Sequence, residues 1–209
     1  MTPVTQSILA FTGVAALLTI TPGLDTALVL RTAAIRGAKP AAAAGLGIGL
    51  GCLCWGTGAA FGITAILTAS QIAFTALKLA GAAYLGWLGL KLLIAPRSAF
   101  DLDVAAPQEA AFWPNLRRGL LTNILNPKVG IFYLSFLPQF IPAGVNPILF
   151  SILLAALHVL LGCLWFAALI LATLPLSHAL RRPNVVRSLD RVTGLVFLAF
   201  GARLALARR

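Results

Sequence analysis

Asp25 is the one acidic residue that we predict inside a membrane-spanning segment, three residues after Pro22 and two after Gly23. A charge at the centre of a bilayer costs about 2.5–3.5 kcal/mol on insertion scales, so it needs a partner or a function. One interpretation is that Asp25 accepts a substrate ammonium group, or takes up and releases protons to drive transport. The other is a structural pair with a base or an Asn of another helix, for which Lys128 is a candidate.

Pro22 and Pro127 each follow a polar residue within an apolar run. Proline has no N–H and clashes with the carbonyl four residues earlier, so these prolines free the carbonyls of Leu18 and Asn123. Such groups are tolerated at membrane depth where protein or a water-filled cavity satisfies them. The sequence therefore predicts a broken helix, with a binding site, at each proline.

The residues before the prolines, Thr21 and Asn126, are good N-caps, and proline is favoured at the first position of a helix. We therefore expect a half-helix to begin at each break, with free N–H groups that suit a carboxylate. Lys128 follows the second break, and three roles are open for it. It could bind a carboxylate, pair with Asp25, or extend to the membrane surface.

These residues need helices that cross a membrane to position them. The chain has 209 residues, of which 60% are hydrophobic and 10% charged, with a mean hydropathy of +0.96; soluble domains are far more polar. A span needs about 20 apolar residues, and we predict six: 7–30, 41–67, 72–95, 118–138, 147–174 and 190–206. We expect the first to be a retained helix, because no Lys or Arg precedes it as in a signal peptide.

The net charge of +11 comes mainly from bases in short loops beside the predicted spans. This pattern is typical of membrane topology rather than of nucleic-acid binding. The first, third and fifth loops carry the bases, which predicts that these loops are cytoplasmic and that both termini lie outside. The polar segment 96–117 is predicted to be a cytoplasmic linker between residues 1–95 and 118–209.

An internal repeat supports this division. The stretch GAAYLGWLGLKLL from Gly81 resembles GLVFLAFGARLAL from Gly194, and the break at Pro22 has its counterpart at Pro127. Because three spans are an odd number, the second copy is inverted in the membrane, as in many secondary transporters. The predicted fold is an all-α integral membrane protein with six transmembrane helices, built as two inverted three-helix repeats with broken helices 1 and 4.

Metal, redox and enzyme chemistry have few candidate residues. Cys52, Cys54 and Cys163 form no C-x-x-C motif and are predicted to be packing residues. His158 and His178 have no Cys or acid nearby in sequence, which makes a metal site improbable. In the predicted spans we find neither a pair of acids nor an acid paired with His for general acid–base catalysis. We expect no catalytic residue, no metal and no cofactor.

The chain resembles, over essentially its whole length, the LysE/RhtB family of bacterial amino-acid exporters. The motifs that carry the resemblance are Pro22-Gly23 with Asp25-Thr26, Arg36-Gly37, the GAAYLGWLG stretch, and LTNILNPKVGIFYLSFLPQF from Leu121. Leu24 stands where the family usually has a second proline. The resemblance implies export of neutral or basic amino acids, or close derivatives, across the bacterial cytoplasmic (inner) membrane by exchange with protons. Its motifs correspond here to Pro22, Gly23, Asp25, Asn126, Pro127 and Lys128.

An exporter of inorganic ions or other small metabolites is the alternative, although an ion site would favour several acids, His or Cys in the spans. For either cargo, the hypothesis is that the two repeats rock about a midplane site so that it faces each side in turn. The expected partners are an amino-acid substrate, protons and the lipid bilayer, with no nucleic acid. The glycine-rich second helix is predicted to pack closely within the chain, and a homo-oligomer is also compatible with such faces.

Overall fold

The computed structural model describes residues 2–69, 71–96, 111–172 and 182–206. They form α1 (Pro3–Ile20), α2 (Leu24–Arg36), α3 (Ala38–Ala69), α4 (Gln71–Ile94), α5 (Phe112–Ile124), α6 (Pro127–Ile131), α7 (Pro147–Leu171) and α8 (Pro183–Leu206). α6 continues into a π-helical turn, Phe132–Phe136, and a 3-10 turn, Leu137–Phe140. The described residues contain no strand, so the all-helical prediction is confirmed for them.

By length and composition, three helices could cross a bilayer: α1, the Ala38–Gly62 part of α3, and α7. A fourth span results if α5 and the helical segment Pro127–Phe140 count as one bent helix. The arrangement of six spans in two inverted repeats therefore stays a prediction. Predicted segment 190–206 begins earlier, at Pro183, so Asp190 lies within α8, where it is fully buried, rather than at the start of a span.

The first break lies where Pro22 predicts it, but the start of the second half-helix differs from the prediction. Thr21 caps the C-terminus of α1 rather than the N-terminus of α2. Its hydroxyl donates to the carbonyl of Leu17 (2.6 Å), and its N–H donates to the same carbonyl (3.1 Å). The backbone stays extended through Gly23, which is the N-cap of α2 and offers no side-chain acceptor. A threonine hydroxyl bonds readily to the carbonyl four residues earlier, and here this local bond prevails over the N-cap.

The second break agrees with the prediction. Asn126 is the N-cap of α6, and its side-chain oxygen accepts the N–H of Lys128 at 3.1 Å. Pro127 is the first residue of the new helix. The helices on the two sides of this break are inclined by 53°, because the chain cannot continue the α-helical hydrogen bonds through the proline. α5 itself begins at Phe112, inside the segment predicted as linker, of which residues 97–110 lie outside the described part.

Glycines bring α3 close to its neighbours. A Cβ on Gly47 would overlap the carbonyl of Leu116, and a Cβ on Gly119 would overlap the carbonyl of Ala44. The backbones of α3 and α5 therefore touch at this crossing, in the manner of small-residue packing in membranes. The prediction that the glycine-rich helix packs closely is confirmed at this crossing. α3 also packs on α7, and α4 packs on α8.

Two apolar clusters lie at different levels of the bundle. The aromatic cluster joins α1, the turns after α6 and the start of α7; its largest members include Phe11, Phe132, Phe136, Phe140 and Phe150. The Phe166 cluster joins α2, α3, the end of α7 and the start of α8; it includes Leu28, Leu30, Ile48, Phe166 and Val186. Between these clusters the two helix breaks meet.

Candidate functional site

A cavity of about 50 Å³ opens where the two breaks meet. One water needs about 10–15 Å³ on this scale, so the cavity has room for about four waters. Residues of both breaks and of α3 and α7 form its wall: Leu18, Thr19, Thr21, Gly23, Asp25, Thr26, Gly45, Ile48, Gly49, Cys52, Asn126, Lys128, Val129, His158, Val159, Gly162, Cys163 and Phe166. The polar residues of this wall could bind a polar ligand, which distinguishes the cavity from a purely apolar packing defect.

The two carboxylate oxygens of Asp25 differ in their hydrogen bonding. Oδ2 accepts a hydrogen bond from Nδ2 of Asn123 at 2.9 Å. Oδ1 is buried and has no hydrogen-bond partner among the described residues. The structural interpretation, a pair with an Asn of another helix, thus holds for one oxygen. An unsatisfied carboxylate oxygen is costly away from water, so Oδ1 is the natural acceptor for a ligand cation or a proton.

Lys128 joins the second break to the first. Its Nζ donates to the carbonyls of Leu18 (3.0 Å) and Thr21 (2.9 Å) at the end of α1. The carbonyl of Leu18 is the one that Pro22 frees, and it accepts its hydrogen bond from a cation next to the second break. Nζ also lies 5.5 Å from the centre of the Phe197 ring, within range of a cation–π interaction. None of the three roles open from the sequence describes this capping contact.

The carbonyl freed by the second proline is satisfied as well. The carbonyl of Asn123 accepts the N–H of Asn126 at 3.0 Å and the indole N–H of Trp55 at 3.3 Å. The side chain of Asn123 is fully buried, and besides Asp25 its Nδ2 approaches Sγ of Cys52 at 3.5 Å. Asn123 therefore holds Asp25 from behind the cavity wall and ties α5 to both α2 and α3.

A third polar group reaches the cavity from α7. Nδ1 of His158, a wall residue, lies 3.0 Å from the hydroxyl of Tyr133, and both side chains are buried. Asp25 and His158 both line the cavity, but their hydrogen bonds go to Asn123 and Tyr133 rather than to each other. The partner of His158 lies 25 residues earlier, on the π-helical turn, where spacing along one helix does not reveal it. The sequence offers one signal for such a partner: an imidazole in an apolar run is costly unless it is hydrogen-bonded, so His158 needs a polar side chain from another segment.

The structure gathers the eight predicted site residues at one place. Thr21, Gly23, Asp25, Asn126 and Lys128 line the cavity. Asn123 contacts Asp25, while Pro22 and Pro127 make the breaks that shape the wall. The described residues contain no group of three or more His, Cys, Asp or Glu side chains that could hold a metal ion. Cys52, Tyr133 and His158 are among the wall or near-wall residues that were not predicted as site residues.

Comparisons with known proteins agree with a transport site. A family model described as LysE type translocator matches residues 8–208. The uncharacterized membrane protein YrhP of Bacillus subtilis is 32% identical, over 97% of this chain and 100% of that protein. The leucine efflux protein of Klebsiella pneumoniae is 30% identical, over 89% of this chain and 88% of that protein. No solved structure matches the chain. Because the family match spans nearly the whole sequence, the chain belongs to the LysE translocator family and is a membrane transporter, not an enzyme.

Proposed function

We propose that this chain exports amino acids from the cytoplasm and binds them in the cavity between the two breaks. The observation that carries the proposal is Oδ1 of Asp25, which is buried at the cavity without a hydrogen-bond partner among the described residues. An α-ammonium group would satisfy it with a charge-assisted hydrogen bond, the stronger class of such bonds. Family membership, and relatives named leucine efflux proteins, support an amino acid as the cargo.

The carboxylate of the substrate has donors next to the same break. α2 begins without a side-chain cap, so the N–H groups of its first turn are open to an anion and carry the positive end of the helix dipole. Nζ of Lys128 lies close by, 3.5 Å from the position of a Cβ on Gly23. A zwitterion therefore finds an acceptor for its cation and donors for its anion within one cavity.

The proposed transport step begins when the substrate replaces hydrogen bonds that link the two breaks. In this state the two breaks are linked by Asp25 with Asn123 and by Lys128 with the end of α1. A zwitterion that engages Asp25 and Lys128 competes with both links and lowers the cost of separating the two repeats. We propose that the inverted repeats then rock about the cavity, with the aromatic cluster and the Phe166 cluster closing it in turn. Uptake of a proton by Asp25 after release of the ammonium group would couple export to proton entry.

The proposed setting is the bacterial inner membrane, which the chain crosses several times with both termini outside. Bases in the first, third and fifth loops support this orientation. The close contact of α4 and α8 near Gly89 and Gly194 supports a packed arrangement of the last helix of each repeat. A homo-oligomer, in which exposed helix faces of two chains would pack together, stays a prediction.

The test is efflux from cells preloaded with a mixture of amino acids, with wild type, Asp25→Asn and an empty vector, each with and without an uncoupler. Asn keeps the size of Asp25 but removes the charge, so efflux should fall at least tenfold while the protein stays in the membrane. The uncoupler should abolish the wild-type signal. Efflux by Asp25→Asn at the wild-type rate would refute the role of the carboxylate. No efflux by well-expressed wild type would refute the cargo and direct the tests to ions and other small metabolites.

A further inference from the structure

The cavity has an apolar part that the zwitterion contacts do not use. Two helices form its wall, with Gly45, Ile48 and Gly49 on α3 and Val159, Gly162 and Phe166 on α7. Cys52, one turn further along α3, contacts Asn123, which holds Asp25. At 1.5 Å per residue, Gly45 lies about 10 Å along the helix from Cys52. The apolar part therefore extends from the carboxylate towards the Phe166 cluster.

Glycines determine how much room this part offers. A Cβ on Gly49 would lie 3.2 Å from Cγ1 of Val159, and a Cβ on Gly45 would lie 3.3 Å from the ring of Phe166. At these two positions an added methyl group would fit only if the neighbouring side chain shifted by a few tenths of an ångström. At Gly162 a Cβ would meet Phe166 alone, at 3.9 Å, an ordinary contact. Gly162 is thus the position where one added methyl group takes space from the cavity without displacing a neighbour.

The charges of the wall argue against a second cation on the substrate. Asp25 is the one acid among the described residues that line the cavity, and Lys128 already supplies a cation. A lysine or arginine substrate would bring a second positive charge next to apolar groups, with no second carboxylate to pair with it. Desolvation of an unpaired charge costs more than a small cavity recovers from apolar contact.

We propose that this α3–α7 face, named here the side-chain subsite, selects amino acids with an uncharged aliphatic side chain, and that Gly162 and Phe166 limit the size of that side chain. The inference rests on the proposed export of amino acids. It narrows the cargo from neutral or basic amino acids to neutral ones, and it assigns selectivity to residues outside the two helix breaks.

The first experiment loads cells with equal amounts of alanine, leucine and lysine and measures the efflux of each. We expect the wild type to export alanine and leucine but not lysine. Gly162→Ala should lower the leucine-to-alanine ratio about tenfold, the scale of one methylene group in an apolar pocket. The matched control is Gly58→Ala, because Gly58 is an exposed glycine of α3 whose Cβ would meet nothing within 4 Å. Alanine is the better helix former, so neither variant should lose helix stability.

The second experiment measures binding directly through Cys163, an exposed cysteine that also lines the cavity. Cys52 is buried, and Cys54→Ser removes the other exposed thiol among the three cysteines. Leucine should slow the reaction of Cys163 with N-ethylmaleimide in purified protein, and lysine should leave the rate unchanged.

The outcomes separate the two proposals. If Gly162→Ala keeps the wild-type leucine-to-alanine ratio, or if lysine leaves the cell or protects Cys163 as well as leucine does, the side-chain subsite is wrong while amino-acid export stands. If the wild type exports none of the three amino acids and none protects Cys163, the proposed function fails and the subsite fails with it.

Discussion

Replacing Lys128 by methionine, which keeps the length of the side chain but removes its charge, should destabilise the folded protein. Nζ of Lys128 caps the carbonyls of Leu18 and Thr21, at 3.0 and 2.9 Å. These carbonyls end α1 next to Pro22, so no backbone N–H of a continuing helix can take the place of the ammonium group. The cost is therefore mainly that of two lost charge-assisted hydrogen bonds, while the cation–π contact with Phe197 has its counterpart in the Lys91 control described below.

The magnitude follows from the setting of these bonds. A hydrogen bond to a charged group contributes about 1.5–3 kcal/mol in soluble proteins, whereas membrane-buried hydrogen bonds average about 0.6 kcal/mol. Lys128 is half-buried and faces a cavity that waters can enter, so a water would replace part of each bond. For the pair we expect a loss of about 2–3 kcal/mol. For a chain of this length, that corresponds to a decrease in Tm of about 4–12 °C.

The assay is thermal unfolding of the purified protein in detergent, with Lys91→Met as the matched control. Lys91 is an exposed lysine in the last turn of α4, with Nζ 5.3 Å from the centre of the Trp87 ring. An exposed cation–π contact is worth about 0.5–1 kcal/mol, so Lys91→Met should lower Tm by no more than about 4 °C. If Lys128→Met unfolds at the temperature of Lys91→Met, the two helix breaks are not held together by this lysine.

Two further substitutions test the packing around the site. Gly119→Ala places a methyl group on the carbonyl of Ala44 and should lower the free energy of unfolding by about 3 kcal/mol or more, because backbone cannot yield as a side chain can. The control, Gly13→Ala, adds a Cβ that meets nothing within 4 Å and should unfold like the wild type. Equal Tm values for the two variants would contradict a tight α3–α5 crossing. Tyr133→Phe removes the hydrogen bond to His158 and should lower the free energy of unfolding by about 1–2 kcal/mol. In a double-variant cycle with His158→Leu, the two decreases in stability should not add. Full additivity would contradict a hydrogen bond between Tyr133 and His158.

The prolines made the breaks predictable, because a residue without an N–H interrupts the helix locally, whatever surrounds it. Pro22 and Pro127 interrupt their helices as predicted, and Asn126 caps the second half-helix. The prediction that Thr21 is the N-cap of the second half-helix was wrong. Its hydroxyl can either cap that helix or bond to the carbonyl of Leu17, and it does the latter, while Gly23 lets the backbone stay extended until Leu24. Local rules therefore locate a break more reliably than they assign its caps.

Contacts between distant segments could not be predicted in this way. Tyr133 and His158 lie 25 residues apart, and Asn123 and Asp25 lie 98 apart. Periodicity shows which helix carries each residue, but the crossing of the helices decides which side chains meet. For Asp25 the sequence allowed either a structural pair or a binding role; Oδ2 makes the structural pair with Asn123, and Oδ1 is the atom to which we assign the proposed binding role.

The two breaks complete each other in a way that neither achieves alone. Pro22 leaves carbonyls at the end of α1 without helical donors, and Lys128, next to the second break, supplies the missing donor. Asp25 brings an acid into an apolar region, and Asn123, just before the second break, donates to one of its two oxygens. Polar groups of the first break are thus satisfied by residues at the second, so separating the two breaks would expose an ammonium group and a carboxylate together. A zwitterion carries the complementary pair of charges, which supports the proposed amino-acid cargo over an ion of either sign.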